Sequence, residues 1–199
     1  MRGSVLLLAT ALLAAGCDKR SGGEGQGAGN AEVANLAQAS PDEVAPAAAP
    51  AASPAGKVDR SHAGTAAPTF GFAGPDGKPT SLAAFRGKPV LLNLWATWCG
   101  PCVKELPTLD ALAAREGAKL AVVTLSQDMD AGKAKAFLAE RKLAHLGAYT
   151  DAKMRWLPAV TANLPTSILY GADGKERWRV LGDLDWTGPE AAGALAEAN

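Results

Sequence analysis

Two cysteines spaced by two residues, in Trp98-Cys99-Gly100-Pro101-Cys102, are the best-placed chemical groups in this chain. They follow Val90 to Ala96, an apolar run interrupted only by Asn93 and suited to a buried strand. They open residues 101–116, where Leu106, Leu109 and Leu112 recur at helical spacing before Gly117 closes the segment. A cysteine at a helix N-terminus faces unpaired N–H groups and the positive end of the dipole, and both favour thiolate. Thiolate is the attacking form in disulfide exchange. Two intervening residues put Cys102 one turn on, within bonding reach of Cys99. Pro101 suits the first turn, where a missing N–H costs nothing. Cys99 is therefore expected as the exposed attacker and Cys102 as the more buried resolver. Trp98 reads either as an apolar platform beside the sulfur or as a core tryptophan.

Two other chemistries compete. A structural disulfide is possible, although so small a loop adds little by chain entropy. A metal site would need more ligands than one pair of thiolates, and His62 and His145 are isolated. No metal and no cofactor is expected.

The elements around the pair alternate strand and helix. Pro75-Asp76-Gly77-Lys78 is a turn between short extended pieces, and Leu120 to Leu125 is a second buried-strand run. Lys133 to Leu143 is amphipathic. Ser167 to Tyr170 and Glu176 to Leu181 flank Asp173-Gly174 as a hairpin. Thr187 is placed to cap a last helix, with Pro189 and Glu190 in its first turn. This order predicts an α/β fold, a central mixed sheet with helices on both faces.

The chain has 199 residues, with 20 Lys+Arg against 20 Asp+Glu, and no basic block. Nucleic-acid binding therefore lacks electrostatic support. Residues 1–16 have the layout of an export signal, with Arg2 ahead of an apolar stretch too short to span a bilayer. Leu13-Ala14-Ala15-Gly16-Cys17 resembles a bacterial lipobox, although Leu lies one position further from the cysteine than usual. Cys17 would then be lipidated, which explains the odd third cysteine and predicts a membrane lipid anchor. Asp18 follows it, and an acidic residue there implies retention at the inner membrane, on its periplasmic face. Residues 17–67 are rich in Ala, Gly, Pro and Ser, with no aromatic residue before Phe70. They read as a flexible tether with a reach of roughly 35–40 Å. Val33 and Leu36 could seat on one helical turn within it. Residues 68–199 form the expected domain.

Gly87-Lys88-Pro89, then Leu92 through Cys102, then Glu105-Leu106-Pro107 resembles the TlpA/ResA-like branch of thioredoxin-fold proteins. The resemblance covers essentially all of residues 68–199 and implies a thioredoxin-like fold. Thioredoxins proper keep a buried Asp six residues before the first cysteine; Asn93 stands there and cannot move protons as that Asp does. The branch places a glutamate three residues after the second cysteine, near the active site, and Glu105 matches it. The alternative for Glu105 is a solvated helix-face carboxylate. Leu164-Pro165-Thr166 matches the fold's cis-proline segment, where Leu164 could hold a substrate strand by β-augmentation. Residues 143–163 match the branch's strand-helix insertion, with Trp156 and Pro158 read as packing residues or groove wall.

The expected activity is thiol-disulfide exchange on a disulfide-containing protein substrate. Gly-Pro between the cysteines is the thioredoxin dipeptide and favours a reductase. The resemblance implies a membrane thiol reductant of the DsbD/CcdA kind. It also implies targets such as apocytochrome c or a copper-site cysteine pair. Val160-Thr161-Ala162-Asn163 stands where cytochrome-maturation relatives often carry Gly-Val-Tyr-Gly, which weakens that substrate. A disulfide oxidase and a Cu(I)-binding module are the rival functions.

Overall fold

The computed structural model describes residues 56–198. The leader, Cys17, Asp18 and most of the tether lie outside them. Among the described residues eight strands form one sheet: β1 (Lys57–Asp59), β2 (Phe72–Ala73), β3 (Pro79–Thr80), β4 (Val90–Trp95), β5 (Ala121–Ser126), β6 (Tyr149–Thr150), β7 (Thr166–Tyr170) and β8 (Glu176–Leu181). Their spatial order is β1-β8-β7-β4-β5-β6-β2-β3. The neighbours β4, β5 and β6 run parallel, while β7 runs antiparallel to β4. The helices are α1 (Gly100–Glu116), α2 (Ala131–Glu140), α3 (Trp156–Val160) and α4 (Pro189–Leu195).

Every residue of β4 is buried because both its neighbours and both sheet faces are covered. Alternation along the strand sorts its side chains into two cores. Leu91 and Trp95 pack with Leu106, Leu109 and Leu112 of α1, with Leu138 of α2 and with Ala191 of α4. Val90, Leu92 and Leu94 pack on the other face with Phe72, Ile168 and Trp156. Each fully buried leucine of α1 contributes about 1.5–3 kcal/mol by leaving water, and this fixes the helix on the sheet.

Two sequence expectations change, and the choice left open for Trp156 is decided. The domain begins before Pro68: β1 pairs with β8, and the bridge Ala66–Lys175 continues that side. Nothing in the local composition signals β1, because its apolar support comes from β8, more than a hundred residues away. The last helix is capped by Gly188, not Thr187, whose hydroxyl instead donates to Asp185 Oδ1 at 2.6 Å in a local turn. Trp156 is fully buried among Phe70 and Phe72, a packing residue. The Asp173-Gly174 hairpin and the strand-helix insertion, seen as β6 and α3, form as expected.

Candidate active site

The C-terminal end of β4 delivers the chain into Ala96-Thr97-Trp98 and then Cys99, the N-cap of α1. Cys99 has extended backbone angles and its Sγ accepts from the Cys102 N–H at 3.3 Å. Pro101 sits in the first turn, as its missing donor allows. Cys99 and Cys102 are joined by a disulfide, with Cα atoms 5.3 Å apart. Cys99 retains 7% exposure and Cys102 none, so the first cysteine is the more accessible of the two.

The loop carrying Cys99 is pinned from β5. Asp128 Oδ1 accepts from the Thr97 hydroxyl at 2.7 Å, and Oδ2 accepts from the Thr97 N–H at 3.1 Å. The Ser126 hydroxyl donates to the same carboxylate at 2.7 Å. The loops after the parallel strands β4 and β5 are thereby tied side by side. Each carries an exposed apolar residue just before the N-cap of the next helix, Trp98 at 65% and Met129 at 80%. Trp98 is thus not a core tryptophan. The sequence reading missed Asp128 and Met129, since neither carries a local signal.

Glu105 lies one turn after Cys102 and is 3% exposed, so the solvated-carboxylate alternative fails. Asn93 Nδ2 donates to its Oε1 at 2.6 Å. The Leu184 N–H and Trp186 Nε1 donate to Oε2 at 3.2 and 3.4 Å. Burial pushes this carboxyl up to about 7; the three donors oppose the shift and Asp183 nearby adds to it. Asn93 also donates to Ser167 Oγ at 3.0 Å, a contact set by the β4–β7 register. Glu105 reaches one wall of an open cleft of about 550 Å³, shared with Thr108, Leu184 and Pro189. Lys104 and Asp183 pair across its rim at 3.3 Å.

The Leu164–Pro165 peptide bond is cis, as the resemblance implied. Pro165 is buried, and its carbonyl accepts from the Gly182 N–H at 2.9 Å. The neighbouring Leu164 uses neither backbone group in a loop hydrogen bond. Among the described residues no group of three or more His, Cys, Asp or Glu is placed to hold a metal.

Residues 62–195 match the protein family described as Redoxin. Over 63 residues the chain is 44% identical to the thioredoxin-like protein YneN of Bacillus subtilis, a match covering 32% of this chain and 37% of that protein. It is 31% identical over 128 residues to the thiol-disulfide oxidoreductase ResA of Bacillus thuringiensis subsp. konkukian, covering 64% of this chain and 74% of that one. Among solved structures it is similar to a DsbE-type thiol:disulfide interchange protein from Chlorobium tepidum, at 29% identity and a TM-score of 0.60. That likeness covers 69% of this chain and 98% of the other.

Proposed function

The chain belongs to the Redoxin family as a thiol-disulfide oxidoreductase of thioredoxin fold, and from that premise we propose that it reduces protein disulfides outside the cytoplasm, held to a membrane by lipid on Cys17. One observation carries the chemistry: the Cys99–Cys102 pair caps α1, and a buried carboxyl waits one turn behind it.

In the reduced enzyme the helix N-terminus stabilises Cys99 as thiolate. Its Sγ attacks a substrate disulfide, forming a mixed disulfide and releasing one substrate sulfur as thiolate. Cys102 then gives its proton to Glu105 and attacks Cys99 Sγ. The Cys99–Cys102 bond forms, and the second substrate sulfur leaves and takes a proton. The substrate gains two electrons and the enzyme dithiol loses two. A carboxyl near 7 is matched to this task, because it can both accept and return a proton near neutral pH. The cleft beside Glu105 gives that proton a way to water. Leu164, with free backbone groups, and Trp98, exposed beside Cys99, are the proposed substrate contacts. A membrane thiol reductant of the DsbD/CcdA kind would restore the dithiol.

The test is the reduction potential of the Cys99–Cys102 couple, by equilibration with dithiothreitol or glutathione. The expected value lies nearer about −270 mV than about −120 mV. A value at the oxidising end makes the protein an oxidase. Failure to reduce insulin in the presence of a dithiol would favour the copper-binding reading.

A further inference from the structure

Among the described residues every polar partner of the Glu105 carboxyl is a donor. The Leu184 N–H and Trp186 Nε1–H can only donate, and both reach Oε2. Oε1 faces the Asn93 amide alone, at 2.6 Å. That length is short for N–H···O and ordinary for O–H···O. The set suits an ionised carboxylate and gives a carboxyl proton nothing to bond to. Asn93 is fully buried, and its own Oδ1 has no partner. The remaining neighbour of the amide is the Ser167 hydroxyl, which can accept or donate.

We infer that the Asn93 amide makes a half-turn about Cβ–Cγ when Glu105 takes up a proton, exchanging Nδ2 for Oδ1 as the atom facing the carboxyl. With Glu105 ionised, Nδ2 donates to Oε1 and to Ser167 Oγ. With Glu105 neutral, Oδ1 accepts the Oε1 proton and the Ser167 hydroxyl proton. An amide's oxygen and nitrogen fill nearly equal volumes, so the exchange needs little displacement. Oδ1 has no hydrogen-bond partner among the described residues, so no third group locks the amide. Without the turn, an O–H on Glu105 would point at an N–H. Asn93 is thus a positioning residue that offers a hydrogen bond to both protonation states.

The inference rests on the proposed role of Glu105 as proton acceptor for Cys102. The charged or titratable groups around Glu105 are Cys102 and Lys104 on α1, Asp183 and Asp185 in the β8–α4 connection, and Glu190 on α4. Asn93 on β4 and Ser167 on β7 complete the enclosure without charge.

The experiment uses oxidised protein, so that neither active cysteine titrates, with asparagine side chains labelled with ¹⁵N and glutamate carboxyls with ¹³C. Nuclear Overhauser contacts between the Asn93 amide protons and the Ser167 β-protons are followed from pH 5 to 9. The expected result is strong contacts at high pH that are lost at low pH, with the same midpoint as the Glu105 carboxyl carbon. In Glu105→Gln the contacts should become independent of pH. Amide protons that stay beside Ser167 throughout the Glu105 titration overturn the inference. Asn93→Leu should slow resolution of the mixed disulfide about tenfold while leaving its formation unchanged; wild-type resolution would also overturn it. If instead Glu105→Gln resolves at the wild-type rate, the proton-acceptor reading fails, and the amide contacts still decide whether Asn93 turns.

Discussion

The two sulfurs differ in exposure, and this makes their roles separable by substitution. Cys99→Ser should abolish exchange, while Cys102→Ser should accumulate mixed disulfides with a model disulfide on non-reducing gels. Adducts trapped on Cys99→Ser would reverse the assignment. Glu105 makes a prediction about stability as well as rate. Its carboxyl ionises near pH 4.5 in the unfolded chain and about 7 in the folded one. Between those values the folded state holds the extra proton, so this group's contribution falls as pH rises through the window and is constant above it. The loss is ~3 kcal/mol, and Glu105→Gln should gain about that much relative to wild type between pH 4 and pH 8. Urea unfolding of the oxidised proteins at the two pH values measures it; parallel pH dependences would show that the carboxyl is not held protonated. The motif alone identified Glu105 but could not show its burial. Its cover comes from Leu184 and Trp186, some eighty residues further along, and its partner Asn93 belongs to β4 beneath the helix.

Among the elements, the segment leading to Pro165 has an unusual anchor. Arg179 on β8 donates to Glu176 through Nε and Nη2, both at 2.7 Å, and through Nη1 to the carbonyl of Val160 at the end of α3. Both charged residues are buried, Glu176 at 1% and Arg179 at 7%. A cation suits a helix C-terminus, and here it holds the insertion that precedes the cis-Pro165 segment. Glu176→Gln should cost about 3–5 kcal/mol by leaving a buried guanidinium uncompensated, checked by denaturant unfolding. A loss under about 1 kcal/mol would mean that water or relaxation takes over the pairing. The sequence revealed the long strands and α1 because their apolar periods are strong over six to seventeen residues. It did not reveal β1, whose support comes from β8; β2 and β3 were legible only as short extended pieces around the turn Pro75-Asp76-Gly77-Lys78, and β6 only through the family resemblance. The capping of α4 was misassigned by one residue because Thr187 had a nearer acceptor in Asp185.

For the whole molecule, location must come from the N-terminal sequence. Among the described residues no helix is long and apolar enough to cross a membrane. Attachment through lipidated Cys17 predicts recovery in the inner-membrane fraction, with release after Cys17→Ala. Recovery in the outer membrane would contradict the reading of Asp18, and a soluble wild-type protein would remove the anchor altogether. Copies anchored in that way would share a two-dimensional surface, where local crowding is high and sheet margins meet often. The outer strands of this sheet, β1 and β3, are three and two residues long, and β3 begins with Pro79, which has no N–H to offer. Margins this short, one of them opening on proline, give an incoming chain no continuous row of donors and acceptors to copy. The fold would therefore admit the substrate strand proposed beside Pro165 while denying cross-β assembly to its own neighbours.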